Sequence, residues 1–386
     1  MATEHMNLAE QALANLVNQF ARPLDFLREL AQNSIDAGSP RIEVSVAWDP
    51  PNGEGGVDEN VGVLRVHVND FGEGMDEEII DNQLTRLFSS TKEDDLTKIG
   101  KFGIGFTSIF AIQPQAVLLR TGRHGEYWEL LFHADRSFDK IKITEPMVGT
   151  QITLFKRMAK DAIEQFIQDA RFILTYWCEH SDIPITFHDQ TRGEALETAE
   201  SADPFAAFED AGSGEGTGPE TINRPLDLPQ AMLSIQHLDE LTEIVIGFQQ
   251  HGRYGYYNGG LTLLSTSNID ALGHYADRLG HLSFKIKNDH LEHTLTRDNV
   301  LQDENWHKAM AVLLKAHERL RGALVDRIEE AVANGEELRH WHAWLAEECR
   351  TPGSSNFIES LRNRKLLADW KGRPVTLAAV RDQQSK

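Results

Sequence analysis

Between Glu194 and Glu220 the chain carries eight acidic residues and neither lysine nor arginine, with Gly212-Ser213-Gly214-Glu215-Gly216 inside the run. Such a composition buries too little apolar surface to offset the entropy of ordering it. The run therefore divides the sequence, and the cores before and after it are built separately. We read residues 191–224 as an acidic flexible linker or insert and residues 1–190 as one domain. Residues 225–330 form a second α/β domain and 331–386 a helical C-terminal segment. A length of 386 residues suits two or three domains.

Bulk composition then excludes several classes. A formal net charge of −22 repels phosphate backbones, so nucleic acid is not expected as a partner. No apolar run approaches the ~20 residues of a membrane span, and the start lacks a secretory pattern. Cys178 and Cys349 stand far apart with no CxxC pairing, as in thiols of a reducing, cytoplasmic compartment. His290 and His293 have loose metal-like spacing, but Lys287 and Arg297 stand close and no third ligand offers itself. His340 and His342 do not share a helical face. Neither pair is expected to hold a metal.

Periodicity places the elements. Leu8, Ala12, Leu16 and Phe20, then Leu24, Leu27, Leu30 and Ile35, recur at helical spacing, so residues 7–37 read as one helix or two joined. Gly38-Ser39-Pro40 ends that run. Alternating segments predict strands at 41–48, 61–68, 116–120, 127–132, 140–144, 150–155 and 183–188, with a helix over 161–178. Residues 81–102 are polar and uneven, like a mobile loop, and 102–112 return to a helical pattern. Beyond the acidic run, strands are expected at 241–248, 260–264 and 282–287, a helix over 270–279, and a helical tract over 303–346 broken near Gly335. Tyr254, Tyr256 and Tyr257 read as packing residues.

Three motifs carry chemistry. Glu29, Asn33 and Asp36 are spaced i, i+4, i+7 and share one helical stripe. An amide oxygen there can ligate Mg²⁺, and a neighbouring carboxylate can orient or deprotonate water; the same stripe also suits a plain solvated face. Asp70-Phe71-Gly72-Glu73-Gly74-Met75 follows a strand. Its glycines admit a flat ligand, and its Asp can accept from an exocyclic amine, although DxGxG is also a common turn. Gly100-Lys101-Phe102-Gly103-Ile104-Gly105-Phe106 opens a helix whose N–H groups can cradle phosphate. It matches neither a Walker A loop nor a Rossmann turn. The segment Ser89 to Asp95 before it could close as a lid.

In this order, with Gly149-Thr150 opening a later strand, the motifs resemble those of the GHKL ATPases, which include DNA gyrase, the heat-shock protein 90 chaperones, histidine kinases and MutL. The resemblance covers residues 7–155 and implies a Bergerat-type α+β fold, a mixed sheet covered by helices. It implies ATP and Mg as ligands, with Glu29 as general base and Asn33 as the metal ligand. Asp70 would accept from the adenine amino group, Thr150 would help through water, and Met75 would pack on the ring. Gly72 and Gly74 would shape that turn. Gly103 and Gly105, with Phe102, Ile104 and Phe106 around them, would offer amides to the phosphates. Lys92 and Lys101 would contact phosphate, and Asp36 would support the helix or an ordered water.

The second half looks like the middle domain of the heat-shock protein 90 (HtpG-type) chaperones. There, Thr296-Arg297-Asp298-Asn299-Val300-Leu301-Gln302 precedes a long helix, and Arg297 would reach the γ-phosphate. Thr296 stands where those chaperones have serine, and Gln302 lies one residue further from the arginine. The resemblance implies a slow ATPase switch with client proteins and a nucleotide-dependent homodimer. Those chaperones carry a further C-terminal dimerisation domain, and the short tail after the long helical tract fits either a fragment of a longer protein or a shorter relative with another output. Two alternatives remain open: a DNA-acting ATPase of the MutL, gyrase or MORC type, and a nucleotide-sensing module without useful turnover.

Overall fold

The structure, a computed structural model, describes residues 22–51, 60–85, 105–191, 218–294 and 299–384. The chain forms two compact units, Met1–Asn223 and Arg224–Lys386. Of the expected N-terminal helix, the described part is a 3-10 turn at Pro23–Asp25 running into α1 (Phe26–Asp36). Proline opens the turn, where its missing N–H is no loss. At the other end Gly38 takes φ +70, Ser39 N–H bonds to Ser34 O, and Gly38 N–H bonds to Ile35 O. This left-handed cap satisfies the last carbonyls and turns the chain into the first strand.

The first unit is built on one eight-stranded mixed sheet. Its strands are β1 (Ile42–Asp49), β2 (Val61–Asp70), β3 (Ala116–Arg123), β4 (Glu126–His133), β5 (Phe138–Ile143), β6 (Gly149–Ala159), β7 (Ile185–Asp189) and β8 (Glu220–Thr221). They lie in the order β5-β4-β3-β6-β2-β1-β7-β8. Among the described strands of this sheet, only β1 and β7 pair in parallel. One face is apolar at every second position: Val44 and Val46, Leu64, Val66 and Val68, Val117 and Leu119, Leu130 and Phe132, Ile152 and Leu154 are all buried. The opposite face is half-buried, the pattern of an antiparallel sheet covered on one side. Helix α1 packs against α2 (Ile163–Cys178), whose Phe166, Ile167, Ala170, Ile173 and Leu174 are buried. The described C-terminal end of the expected connector is part of this unit, because β8 pairs with β7 and Ile222 is buried.

The helix expected over 102–112 is, in its described part, a short turn from Gly105 followed by a 3-10 stretch at Ser108–Ile112. Gln113 ends it in the left-handed region at φ 55. Pro114 follows, and the residue before a proline is disfavoured in the helical region.

The second unit has a five-stranded sheet in the order β12-β11-β13-β10-β9. Its strands are β9 (Leu233–Leu238), β10 (Thr242–Phe248), β11 (Tyr254–Asn258), β12 (Leu261–Thr266) and β13 (Ser283–Asn288). Strand β11 was not legible in the sequence: it is buried along nearly its whole length, and a register shift between Tyr256 and Tyr257 breaks the alternation. The three tyrosines are core residues, and Tyr256 Oη donates to Ala271 O at 3.0 Å. The helix expected over 270–279 is kinked at Gly273, whose φ of 52 splits it into two short turns.

Helix α3 (Glu304–Asn334) is capped by Asp303, which accepts from Trp306 N–H, and ends at Gly335 with φ +69. It crosses position 330 without interruption. Trp341 of α4 (Arg339–Arg350), with Leu361 and Leu366 beyond it, shares the core of Ile246, Phe284, Trp306 and Leu320. Residues 224–386 therefore form one unit.

A buried charge cluster ties α4 to α3. Glu348, fully buried, accepts from His281 Nε2 at 2.7 Å, His317 Nε2 at 2.8 Å and Arg321 Nε at 2.7 Å. Arg321 also donates to Thr351 Oγ1 at 2.5 Å. Burial alone would raise the Glu348 carboxyl, but the hydrogen bonds from His281 and His317 outweigh it and hold the group well below the carboxylate range. Burial lowers His317, against the pull of Glu348 and with help from Arg321 and Arg278. Among the described residues these are the His, Cys and acidic side chains that converge closely enough to suit a metal. The guanidinium already on Glu348 makes the cluster a closed ionic lock instead.

Candidate functional site

Register builds the floor of a cavity in the first unit. Val68 of β2 stands opposite Ile152 of β6, and Ile152 opposite Leu119 of β3. This row points to the covered face of the sheet. Leu30 of α1, Met75, Ile79 and Phe106 close over it, enclosing a cavity of about 320 Å³. That size is in the range of small-molecule sites.

At one end stands Asp70, buried at 8% exposure. Its Oδ1 accepts the backbone N–H of Gly72 at 3.0 Å and of Thr150 at 3.1 Å. Its Oδ2 lies 3.3 Å from Ser34 Oγ, whose single proton has a closer acceptor in Leu30 O at 2.9 Å. Oδ1 is thus held by the protein, and Oδ2 is the oxygen left for a ligand donor. Burial pushes the carboxyl up, while the Gly72 and Thr150 amides and the Ser34 hydroxyl pull it back.

The glycines around Asp70 are steric requirements. A methyl at Gly72 would stand 2.6 Å from Ala37 O, at the end of α1. Gly74 has φ +67, and a methyl there would meet Gly122 O at 2.2 Å. Gly149 has φ +76, and a methyl would meet Asp70 O at 2.2 Å. Four backbone segments, the end of α1, the turn after Asp70, the end of β3 and the start of β6, meet here at distances that only glycine permits.

The other polar group comes from α1. Asn33 lines the cavity. Glu29 is buried on the same helical stripe, with Arg28 Nη1 at 3.9 Å from its carboxylate. Gly105 lies directly against both: a methyl there would be 2.9 Å from Glu29 Oε2 and 3.9 Å from Asn33 Nδ2. The last glycine of the third motif is therefore seated on the first motif. Asp36 is exposed, accepts from Gln32 Nε2 at 2.9 Å, and borders the cavity. Phe106 is buried against Phe132, with ring centroids 5.1 Å apart.

So the structure brings together Asn33, Asp36, Asp70, Gly74, Met75, Phe106 and Thr150 around one cavity, with Gly72 beneath Asp70 and Glu29 and Gly105 in contact beside Asn33. Lys92, Lys101, Phe102, Gly103, Ile104 and Arg297 lie outside the described residues, as does most of the segment 81–102. On either side of residues 295–298, Thr294 N–H donates to Asn299 O at 2.9 Å.

The sequence did not point to Ser34, Thr121 or Arg123. Ser34 sits one residue past the stripe, and its hydroxyl signals only a helix interior. Thr121 is an unremarked strand residue until register sets it opposite Thr150. Arg123 borders the cavity and pairs with Glu73 at 2.6 Å, a contact between residues 50 apart. The apolar row Val68, Leu119 and Ile152 could have been found from strand alternation once the pairing was known.

Residues 25–164 match the family model described as histidine kinase-, DNA gyrase B- and HSP90-like ATPase. Among curated proteins, the chaperone protein HtpG of Pectobacterium atrosepticum is 30% identical over 193 residues, 44% of this chain and 30% of that protein. HtpG of Bacteroides fragilis is 26% identical over 195 residues, 45% of this chain and 28% of its own. HtpG of Nitrosomonas eutropha is 27% identical over 218 residues, covering 47% and 32%. The chain thus spans about a third of the length of these relatives. A solved N-terminal domain of a DNA repair protein covers 81% of this chain and 98% of its own at 10% identity, with a TM-score of 0.46, below the level at which a shared fold follows.

Proposed function

We propose, from an N-terminal unit in which residues 25–164 form an ATPase domain of the histidine kinase, DNA gyrase B and HSP90 type, that this protein binds ATP in the cavity under Asp70 and hydrolyses it slowly as a conformational switch. The observation that carries the reading is the arrangement of Asp70. Its Oδ1 is saturated by two backbone amides, and its Oδ2 remains for the amine of a flat base lying on Val68, Leu119 and Ile152.

Each residue then has a stated task. Asp70 accepts from the exocyclic amine of adenine, and Met75 packs on the ring. Glu29 accepts a proton from the water that attacks the terminal phosphate. Gly105, with Gly103, presents backbone N–H groups to the phosphates, and Lys92 and Lys101 add charge there. The Glu29 carboxylate and the Asn33 side-chain amide meet at the space a side chain on residue 105 would fill, with Oε2 and Nδ2 the atoms nearest it; turned over, that amide would present its oxygen to a magnesium ion. Asn33 would hold it, and the bound ion would neutralise phosphate charge.

The finer features extend the same reading. Residues 81–102 close as a lid, and Arg297 of the second unit completes the charge around the terminal phosphate. Turnover is slow because assembling the site is a conformational step. The output resembles that of the HtpG chaperones, with client proteins and a nucleotide-dependent homodimer. The free thiols Cys178 and Cys349 suit a cytoplasmic location. Action on DNA is disfavoured by the net charge of −22.

ATP turnover tests the reading. Wild type should release phosphate, and Glu29→Ala should lose at least about a hundredfold in kcat while still binding nucleotide. Asn33→Ala should lose both binding and turnover. Turnover that both variants keep in full would refute the assignment. Tight binding with no turnover in wild type would make the protein a nucleotide-sensing module.

A further inference from the structure

Thr121 of β3 joins its own strand to the turn at Met75 and to the start of β6, and it is fully buried at 0% exposure. Its hydroxyl accepts the Met75 N–H at 2.8 Å. The same oxygen lies 3.2 Å from Gly149 O and 3.1 Å from Thr150 Oγ1, either of which can take its one proton. The hydroxyl thus accepts from the turn and donates its one proton toward β6. Thr121 stands opposite Thr150, and the next pair, Gly122 and Gly149, is the last of the β3–β6 ladder. Thr150 in turn donates its backbone N–H to Asp70.

We propose that Thr121 is a positioning residue for the base end of the nucleotide site, acting through Met75 and Thr150 without touching the ligand. This rests on the ATP-binding reading given above. The Gly72–Met75 turn reaches the cavity wall from outside the sheet; Asp70 holds it at Gly72 and Arg123 pairs with Glu73 on its exposed side, which leaves the Met75 end to be fixed. The Thr121 hydroxyl supplies the anchor. It sets how far Met75 stands from the Val68–Ile152–Leu119 floor, and so the thickness of the slot for a flat ring. It also fixes Thr150, whose amide orients Asp70.

The hydroxyl, and not the volume, is the active feature. Thr121→Val keeps the branched shape and the strand preference but orphans the Met75 N–H and removes the link to Thr150. Thr121→Ser keeps the hydroxyl. The test measures adenosine and ATP affinity by calorimetry on the full chain, with urea unfolding of each variant. We expect Thr121→Val to weaken adenosine and ATP alike by about tenfold, the equivalent of one lost buried hydrogen bond. The ratio of the two affinities should stay at its wild-type value, since the phosphate end is untouched. Thr121→Ser should restore both. In apo protein the Met75 amide should exchange faster in Thr121→Val than in Thr121→Ser.

Wild-type affinity in Thr121→Val, or equal loss in Thr121→Ser, would overturn the positioning role while leaving ATP binding intact. A Thr121→Val change that alters the ATP-to-adenosine ratio would overturn it as well. A wild-type chain that binds neither ligand would instead remove the ATP-binding reading, and this inference with it.

Discussion

Asp70 concentrates the opposing demands of the site in one carboxylate. It is placed in an apolar surrounding, where burial raises its pKa, and it is held there by two backbone amides and a hydroxyl. In stability terms the sign is clear. A carboxyl whose folded pKa is raised disfavours the folded state once pH climbs above that folded value. The ionised group is a strain carried for the sake of an acceptor aimed at a ligand. The glycine at 149 shows the same intolerance sterically. Gly149→Ala would place a methyl 2.2 Å from Asp70 O at φ +76. We expect it to lower stability by about 1–3 kcal/mol and to weaken ATP binding, read by chemical unfolding and calorimetry. Both motifs were visible in the sequence, but their partners were not. Nothing in a linear reading sets Thr150 N–H against Asp70, because that contact spans 80 positions and follows from the β2–β6 register.

Among the elements, long periodic segments were the most legible. Helix α1, the alternating strands β1 and β2, and the break between α3 and α4 near Gly335 all follow from spacing and cap residues. Elements whose period is hidden were not. Strand β11 is buried on both faces and bulged. Strand β9 is a half-buried edge. The lock between α3 and α4 was invisible for another reason: His281, His317 and Glu348 come from three elements far apart in sequence. It carries a pH prediction. The Glu348 carboxyl is held below its unfolded value, so its stabilisation is present above the carboxylate range and is lost as pH falls through it. His317 is lowered below its ordinary 6.5, so the unfolded chain binds the extra proton first and stability already declines just below that value. His281, Arg278, Glu318 and Arg321 are the charged or titratable groups around the pair. The two signs agree, and the second unit should weaken steadily from pH 6.5 downward. Glu348→Gln leaves the Arg321 guanidinium buried without its carboxylate. It should cost about 3–5 kcal/mol at pH 7, measured by urea unfolding, and flatten the acid limb.

For the whole molecule, the chain has two cores, an acidic run between them and a net charge of −22. The division of the chain was legible in the composition of the acidic run, and β8 pairs the last residues of that run, Glu220 and Thr221, with the first sheet. The site was legible in its motifs and illegible in its depth, since the cavity floor depends on Val68 and Leu119 each standing opposite Ile152, a pairing of residues far apart in the chain. Central to the proposed uptake of ATP is Oδ2 of Asp70, which has Ser34 Oγ at 3.3 Å and a further lone pair for the ligand amine. Calorimetric titration of ATP into wild type and Asp70→Asn tests it directly. Asparagine can keep the Gly72 and Thr150 bonds through its amide oxygen, and it presents an N–H₂ where Oδ2 stood, opposite the ligand amine. The prediction is saturable binding to wild type and at least about a hundredfold weaker binding to Asp70→Asn, with no loss of thermal stability. Equal ATP affinity in the two proteins, or none in wild type, would contradict it.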